Sequence, residues 1–371
     1  MTDQPPRRRA SRTGNPDLDR QLDALLDTLD ATANRDQLLD ILTTAVHLAT
    51  DGTDRLDLKI ASSALREMRA GFLVFAPHRH LRKVTMFGSA RTHSTDPLYR
   101  QARDLSAVLA QHSWSTVTGA GPGIMAAGLE GAGPEHSFGI NIELPFETEP
   151  NEFIASDPKL VSMKYFFTRK LLLVKESDGF VVLPGGFGTL DEEFELLTLL
   201  QTGKAAPAPI VLLEVPGGTY WQAWEHWITT EVEPRGLINP DDRHFYKITD
   251  SVHDAVAEIL GFYRNYDSLR FFGHTLVIRV RVRPTDEELT ALSAQFADIA
   301  RGGRIEAMDG PLPAEARDDD RLHLPRISLR FDRMSYARLR LLIDALNLLR
   351  SAPPLPDITA ADITAADPVT P

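Results

Sequence analysis

The chain has 371 residues, 43% apolar and 25% charged, a globular composition that suits one main domain with additions. Forty Lys and Arg against 52 Asp and Glu leave a formal net charge of −12, which argues against a nucleic-acid partner. The absence of cysteine excludes disulfides, a thiolate nucleophile and a cysteine–zinc centre.

Residues 1–14 read as a disordered arm, whose Arg7-Arg8-Arg9 run is a solvated tail rather than a binding patch. No apolar run reaches the roughly 18 residues of a membrane span, and no signal-peptide core is visible, so a soluble cytoplasmic protein with no membrane partner is expected. A helical extension over 15–72 follows. Asn15-Pro16 starts its first helix, with Leu18, Leu22, Leu25 and Leu26 at helical spacing. A second begins near Asn34 or Asp36, and a third covers 54–69.

From Arg82 the pattern alternates strand and helix. Strands are expected at 84–87, 114–118, 138–144, 160–163, 180–183 and 209–214, with helices between them and a last helix over 252–263. Repeated β–α units over 80–265 predict an α/β fold, a Rossmann-like doubly wound parallel sheet with its ligand site at the strands' carboxyl ends. Three glycine clusters fall at such ends: Gly88-Ser89, Gly119-Ala120-Gly121-Pro122-Gly123, and Gly185-Gly186-Phe187-Gly188. Residues 270–350 read as a small α+β unit, with strands at 274–282, 305–308 and 327–331 and helices from Pro284-Thr285 and over 335–349. Arg279, Arg281 and Arg283 are placed on one strand face, either solvated or holding a regulatory anion. A disordered tail is expected over 351–371.

The strand at 180–183 is stopped by Pro184 and its glycines, and Thr189 opens a helical pattern with Leu190, Phe194 and Leu197. A strand, a glycine turn and a helix N-terminus form a ready anion site, because unpaired N–H groups and the helix dipole favour a phosphate there. Glu192 has two readings. Thr189-Leu190-Asp191-Glu192 matches a capping box, in which Glu192 serves the backbone; a carboxylate beside a phosphate also suits chemistry on whatever the phosphate carries. Arg169-Lys170 lies on the preceding helix, either solvated or facing the same crevice. Gly119, Gly121 and Gly123 miss the dinucleotide fingerprint, which needs glycine where Ile124 stands, and favour a mononucleotide or sugar phosphate. Asp191, Glu193 and Glu195 fit the helix dipole and have no histidine near them in sequence, so no metal and no cofactor is expected.

Arg169-Lys170 followed by Pro184-Gly185-Gly186-Phe187-Gly188-Thr189-Leu190-Asp191-Glu192 resembles the LOG ("Lonely Guy") family, whose PGGxGTxxE signature is met in full. These are cytokinin riboside 5'-monophosphate phosphoribohydrolases and related nucleotide nucleosidases, often labelled lysine decarboxylases. Gly88-Ser89 and 118–125 resemble the family's earlier glycine turns, with Ala120 where many members have glycine; the added termini resemble the long bacterial members.

The resemblance implies Arg169 and Glu192 as catalytic, with Gly185, Gly186, Gly188 and Thr189 on the 5'-phosphate and Lys170 and Thr198 nearby. Gly88, Ser89, Gly119, Gly121, Gly123 and Glu147 would line the nucleotide cleft. The implied reaction is hydrolysis of nucleoside 5'-monophosphates, AMP-like or cytokinin ribosides, to free base and ribose 5-phosphate. The implied partner beyond the nucleotide is a second copy of the chain, in a dimer or larger homo-oligomer. The alternative is a nucleotide or cofactor carrier of the same fold that does not hydrolyse its ligand. The C-terminal unit could make the enzyme effector-regulated.

Overall fold

A computed structural model describes residues 12–144, 149–355 and 358, in two compact units that divide between Glu67 and Met68. In the first unit, α1 (Pro16–Thr28) starts where Asn15 accepts from the N–H groups of Asp17 and Leu18. α2 (Arg35–Thr50) follows Asn34, and α3 (Arg55–Phe75) begins where Asp54 Oδ1 accepts from Leu56 N at 2.7 Å and Asp57 N at 2.9 Å.

The second unit is built on a seven-stranded, all-parallel sheet. Its elements run β1 (Lys83–Phe87), α4 (Pro97–Gln111), β2 (Ser115–Thr118), α5 (Ile124–His136), β3 (Ser137–Ile142), β4 (Leu160–Met163), α6 (Phe166–Lys175) and β5 (Gly179–Val182). They continue through α7 (Phe187–Gln201), β6 (Ile210–Leu213), α8 (Tyr220–Trp227), β7 (Tyr246–Thr249) and α9 (Val252–Phe262). The spatial order β4-β3-β2-β1-β5-β6-β7 reverses its sequence direction between β1 and β5. At such a switch point the loops leaving the two central strands diverge and leave a crevice.

β5 and β6 are short and apolar because both faces are covered, whereas β2, equally buried, carries Ser115, Thr116 and Thr118. In β5, Phe180 and Val182 face α6, α7 and α8, sharing a core with Leu172, Leu196 and Trp221. Val181 and the following Leu183 face the other way, into a core shared with Leu105 of α4, Ile124 of α5 and Val256 of α9. β7 had no reading in the sequence. It is an edge strand, half-buried throughout, and shows neither an apolar run nor a clean alternation.

The C-terminal unit is a four-stranded antiparallel sheet of order β10-β11-β9-β8, formed by β8 (Tyr266–Phe272), β9 (Thr275–Val280), β10 (Glu306–Met308) and β11 (Arg326–Arg330). Helices α10 (Asp286–Gln295), α11 (Pro313–Arg317) and α12 (Tyr336–Leu348) complete it. β8, also unread in the sequence, pairs with β9 through a two-residue turn whose first residue, Gly273, takes φ +57°. Leu276, Ile278, Ile327 and Leu339 join the same core as Val84 and Val256, so this sheet and one face of the parallel sheet share a single interior.

The three arginines do not share a strand face. β9 ends at Val280; Arg279 is 2% exposed and donates to Glu315 at 2.7 Å and Asp320 at 2.7 Å. Arg283 reaches Asp286 at the surface, and Arg281 projects elsewhere. The solvated-face reading therefore fails for Arg279, which a carboxylate 36 positions later draws into the interior. Among the described residues no helix is long and apolar enough to cross a membrane. Residues 1–11 of the arm, and 356–357 and 359–371 of the tail, lie outside the described residues.

Candidate active site

The turns that leave β1, β2 and β5 enclose a cavity of about 840 Å³ at the switch point. Gly88 and Ser89 line it from β1, Gly119 and Gly121 from β2, and Gly185, Gly186, Gly188 and Thr189 from β5 and the start of α7. Arg169 enters from α6 and Glu192 from α7.

α7 begins at Phe187, two residues before Thr189, with Gly186 as its N-cap and the Leu190 N–H bonded to the Gly186 carbonyl at 3.1 Å. Among the described residues no side chain caps it, and its N-terminus, with the positive end of the helix dipole, lines the cavity. This overturns the capping-box reading: Thr189 lies inside the first turn and Glu192 stands in the second, too far along to reach the N-cap amide. The signature's glycines differ in kind. A Cβ on Gly185 would stand 2.1 Å from Thr189 Oγ1, whereas one on Gly186 or Gly188 would meet nothing within 4 Å.

Glu192 is 9% exposed. Desolvation pushes its pKa up to about 7, against the lowering effect of Lys170 and Arg169. It therefore changes charge near neutrality. Arg169 rests on a glycine: a Cβ at Gly119 would fall 2.1 Å from its Nη2.

Lys170 is turned away from the cavity lining. Its Nζ lies 2.8 Å from Asp191, 2.7 Å from Glu195 and 3.9 Å from Glu192. Burial alone would lower the ammonium's pKa, but hydrogen bonds to Asp191 and Glu195 raise it above its ordinary value. Lys170 thus ties α6 to α7 and stands behind Glu192.

Gly123 is absent from the lining and serves the contact between turns instead. It takes φ +69°, its Cβ would fall 2.3 Å from the Ser89 carbonyl, and Ile124 N donates to that carbonyl at 3.1 Å. Thr198 is exposed on α7, beyond the cavity. Glu147 lies outside the described residues.

Several lining residues carried no motif in the sequence, among them Arg91 after β1, Asn141 near the end of β3 and Tyr220 at the start of α8. Tyr220 Oη donates to the Gly185 carbonyl at 2.8 Å and buttresses the phosphate-type turn from behind. Asn141 was within reach of the rule that sites collect at carboxyl strand ends. Tyr220 was not, because its place depends on how α8 folds back.

Residues 122–259 match the family model described as "Possible lysine decarboxylase". The chain is 37% identical over 91 residues to the cytokinin riboside 5'-monophosphate phosphoribohydrolase LOG1 of Arabidopsis thaliana, covering 24% of this chain and 41% of that protein. It thus spans less than half the length of that relative. It is 27% identical over 183 residues to the probable cytokinin riboside 5'-monophosphate phosphoribohydrolase LOGL2 of Oryza sativa subsp. japonica, covering 48% of this chain and 72% of that protein. Among solved structures, the molybdenum cofactor binding protein of Rippkaea orientalis aligns with 47% of this chain and 93% of its own, at 18% identity and TM-score 0.34.

Proposed function

We propose that this LOG-family protein hydrolyses the N-glycosidic bond of nucleoside 5'-monophosphates, AMP-like or cytokinin ribosides, releasing free base and ribose 5-phosphate. The observation that carries the reading is Glu192: a nearly buried carboxylate on the wall of a cavity, one turn along α7 from that helix's own N-terminus, which opens on the same cavity.

The 5'-phosphate binds at the first turn of α7, where Gly186 and Gly188 leave room for it against the backbone. Anchored there, the nucleotide lays its ribose beside Glu192, and phosphate binding energy fixes the reacting bond in place. The C1'–N bond breaks with its electron pair leaving on the base, positive charge builds on the sugar, and water adds to C1'. The proton that the water loses balances the charge on the departing base. Ionised Glu192 stabilises the cationic sugar or takes the water's proton. Arg169, held against Gly119, lowers the pKa of Glu192 and keeps more of it ionised at neutral pH.

The test is incubation of the full chain with AMP, GMP, CMP and a cytokinin riboside monophosphate, with free base followed by chromatography. Release of base from at least one, abolished in Glu192→Gln, is expected. Tight nucleotide binding with no base released from any of them would refute hydrolysis and leave a carrier.

Self-association fits the same site. Phe166, Phe167 and Leu171 on α6 and Phe187 on α7 are exposed apolar residues, and Phe166 and Phe187 also line the cavity. A second copy covering them would wall the nucleotide in; sedimentation at monomer mass would exclude this.

A further inference from the structure

Six residues from Gly88, at the opposite end of β1, Arg82 borders a second cavity of about 390 Å³. At about 3.3 Å per strand residue, the two cavities are separated by roughly 20 Å. The second is lined by Arg82, Arg264, Arg281, His80 and His112 and, among the described residues, by no carboxylate.

The charge around it is unbalanced. Arg82 is satisfied: it binds Asp178 at 2.7 Å and Asp267 at 3.3 Å, and its guanidinium stacks 3.7 Å from the Tyr263 ring centroid. Arg264 donates its Nε to the Pro353 carbonyl and has no carboxylate partner among the described residues. Arg281 makes no side-chain hydrogen bond or ion pair among the described residues. Its field comes from Arg82 and Arg321, which repel it, and Asp267, which attracts it. Its backbone is nevertheless fixed, with Arg281 N bonded to the Asn265 carbonyl at 2.8 Å and Val282 N to Asn265 Oδ1 at 2.9 Å. His112 adds a buried Nε2 that has no hydrogen-bond partner among the described residues.

We propose that this cavity is a second ligand site, distinct from the nucleotide cleft, and that it binds a small polyphosphate-bearing anion. Arg264 and Arg281, the two guanidiniums without a carboxylate partner among the described residues, call for a ligand of more than one negative charge, and their planar forks suit phosphate oxygens bidentately. The volume is that of a small-molecule pocket. Trp114 and Tyr263, 6% and 7% exposed and with ring centroids 5.8 Å apart, form an apolar wall whose Tyr263 face Arg82 already covers. Inorganic polyphosphate and a nucleoside polyphosphate share the anionic part; only the second would use that wall.

The experiment is calorimetric titration of the full chain with inorganic tripolyphosphate and, separately, with ADP. Each is repeated on Arg281→Glu, on Arg281→Gln, and on Gly186→Asp, which places a carboxylate in the first cavity's turn. Binding of at least one probe that survives in Gly186→Asp is expected, weakened about tenfold or more in both Arg281 variants, since a charge-assisted contact is lost. Tighter binding of ADP than of tripolyphosphate assigns a role to the apolar wall, and equal binding assigns the site to phosphate alone. Arg281 makes no side-chain bond that folding needs, and Arg281→Gln removes its charge without introducing another. The proposal falls if neither probe binds, if both Arg281 variants bind as the parent does, or if Gly186→Asp removes all binding. None of these outcomes touches base release, which is read separately.

Discussion

Glu193 occupies a position made for an apolar side chain. Thr189, Glu193, Leu196 and Leu200 form the inward stripe of α7, and Glu193 is 0% exposed with neither carboxyl oxygen hydrogen-bonded among the described residues. Burial alone pushes its pKa up from 4.5 to about 8. In the unfolded chain the group loses its proton near the ordinary value; in the folded protein it keeps it until about pH 8. Between those values the native state binds more protons, so stability is full below the unfolded pKa and falls as pH rises through the window. At about 1.4 kcal/mol per pH unit the loss is on the order of 5 kcal/mol, an upper bound because a charged site relaxes or admits water. Glu193→Gln keeps the shape and cannot titrate. Urea unfolding followed by tryptophan fluorescence at pH 5, 7 and 8.5 should show the parent losing several kcal/mol more than Glu193→Gln, with the variant the more stable at pH 8.5. Equal losses in the two proteins would mean that Glu193 ionises normally and would refute the reasoning.

Glu192 titrates near 7 and is proposed to act as the carboxylate, so kcat/KM should rise with pH through about 7 and then level. Glu192→Gln should remove that limb and lower the rate roughly 10²–10⁴-fold. Gly119→Ala would put a methyl 2.1 Å from Arg169 Nη2, the movable end of a side chain, so it should lower kcat/KM by roughly 10–100-fold while thermal melting shifts little. Glu315→Ala would leave Arg326 with no carboxylate among the described residues and Arg279 with Asp320 alone, each arginine 2% exposed, and should cost about 3 kcal/mol by urea unfolding.

The parallel sheet was most legible where a strand is covered on both faces, because β5 and β6 then read as unbroken apolar runs ended by proline and glycine. β7 and β8 were not. The first is a half-buried edge strand, and the second carries Asp267, Arg270 and a register irregularity between Tyr266 and Ser268 that blur its alternation. The glycine turns were readable from their places at strand ends, whereas spacing left Arg169 and Glu192 with two readings each, and only the resemblance to a family signature joined them. Lys170 misleads because its partners, Asp191 and Glu195, lie on another helix. The same limit applies to Arg279, whose charge pattern looks solvated until the chain returns with Glu315. The four residues from Thr189 to Glu192 fit a capping box by composition, yet the backbone had already entered the helix at Phe187.

The glycines at the head of α7 separate two demands that sequence alone leaves merged. Gly185 is required by the protein itself, since Thr189 fills the space a side chain would need. Gly186 and Gly188 are not: Gly186 has an ordinary φ of −90°, and a methyl at either position would meet nothing within 4 Å among the described residues. Inside a helix, alanine in place of Gly188 would even be favourable by about 1 kcal/mol. The bare backbone there costs the resting protein stability and gains it nothing until something occupies the cavity. If the proposed 5'-phosphate lies against those two positions, the smallest side chain there that abolishes binding measures how closely it sits.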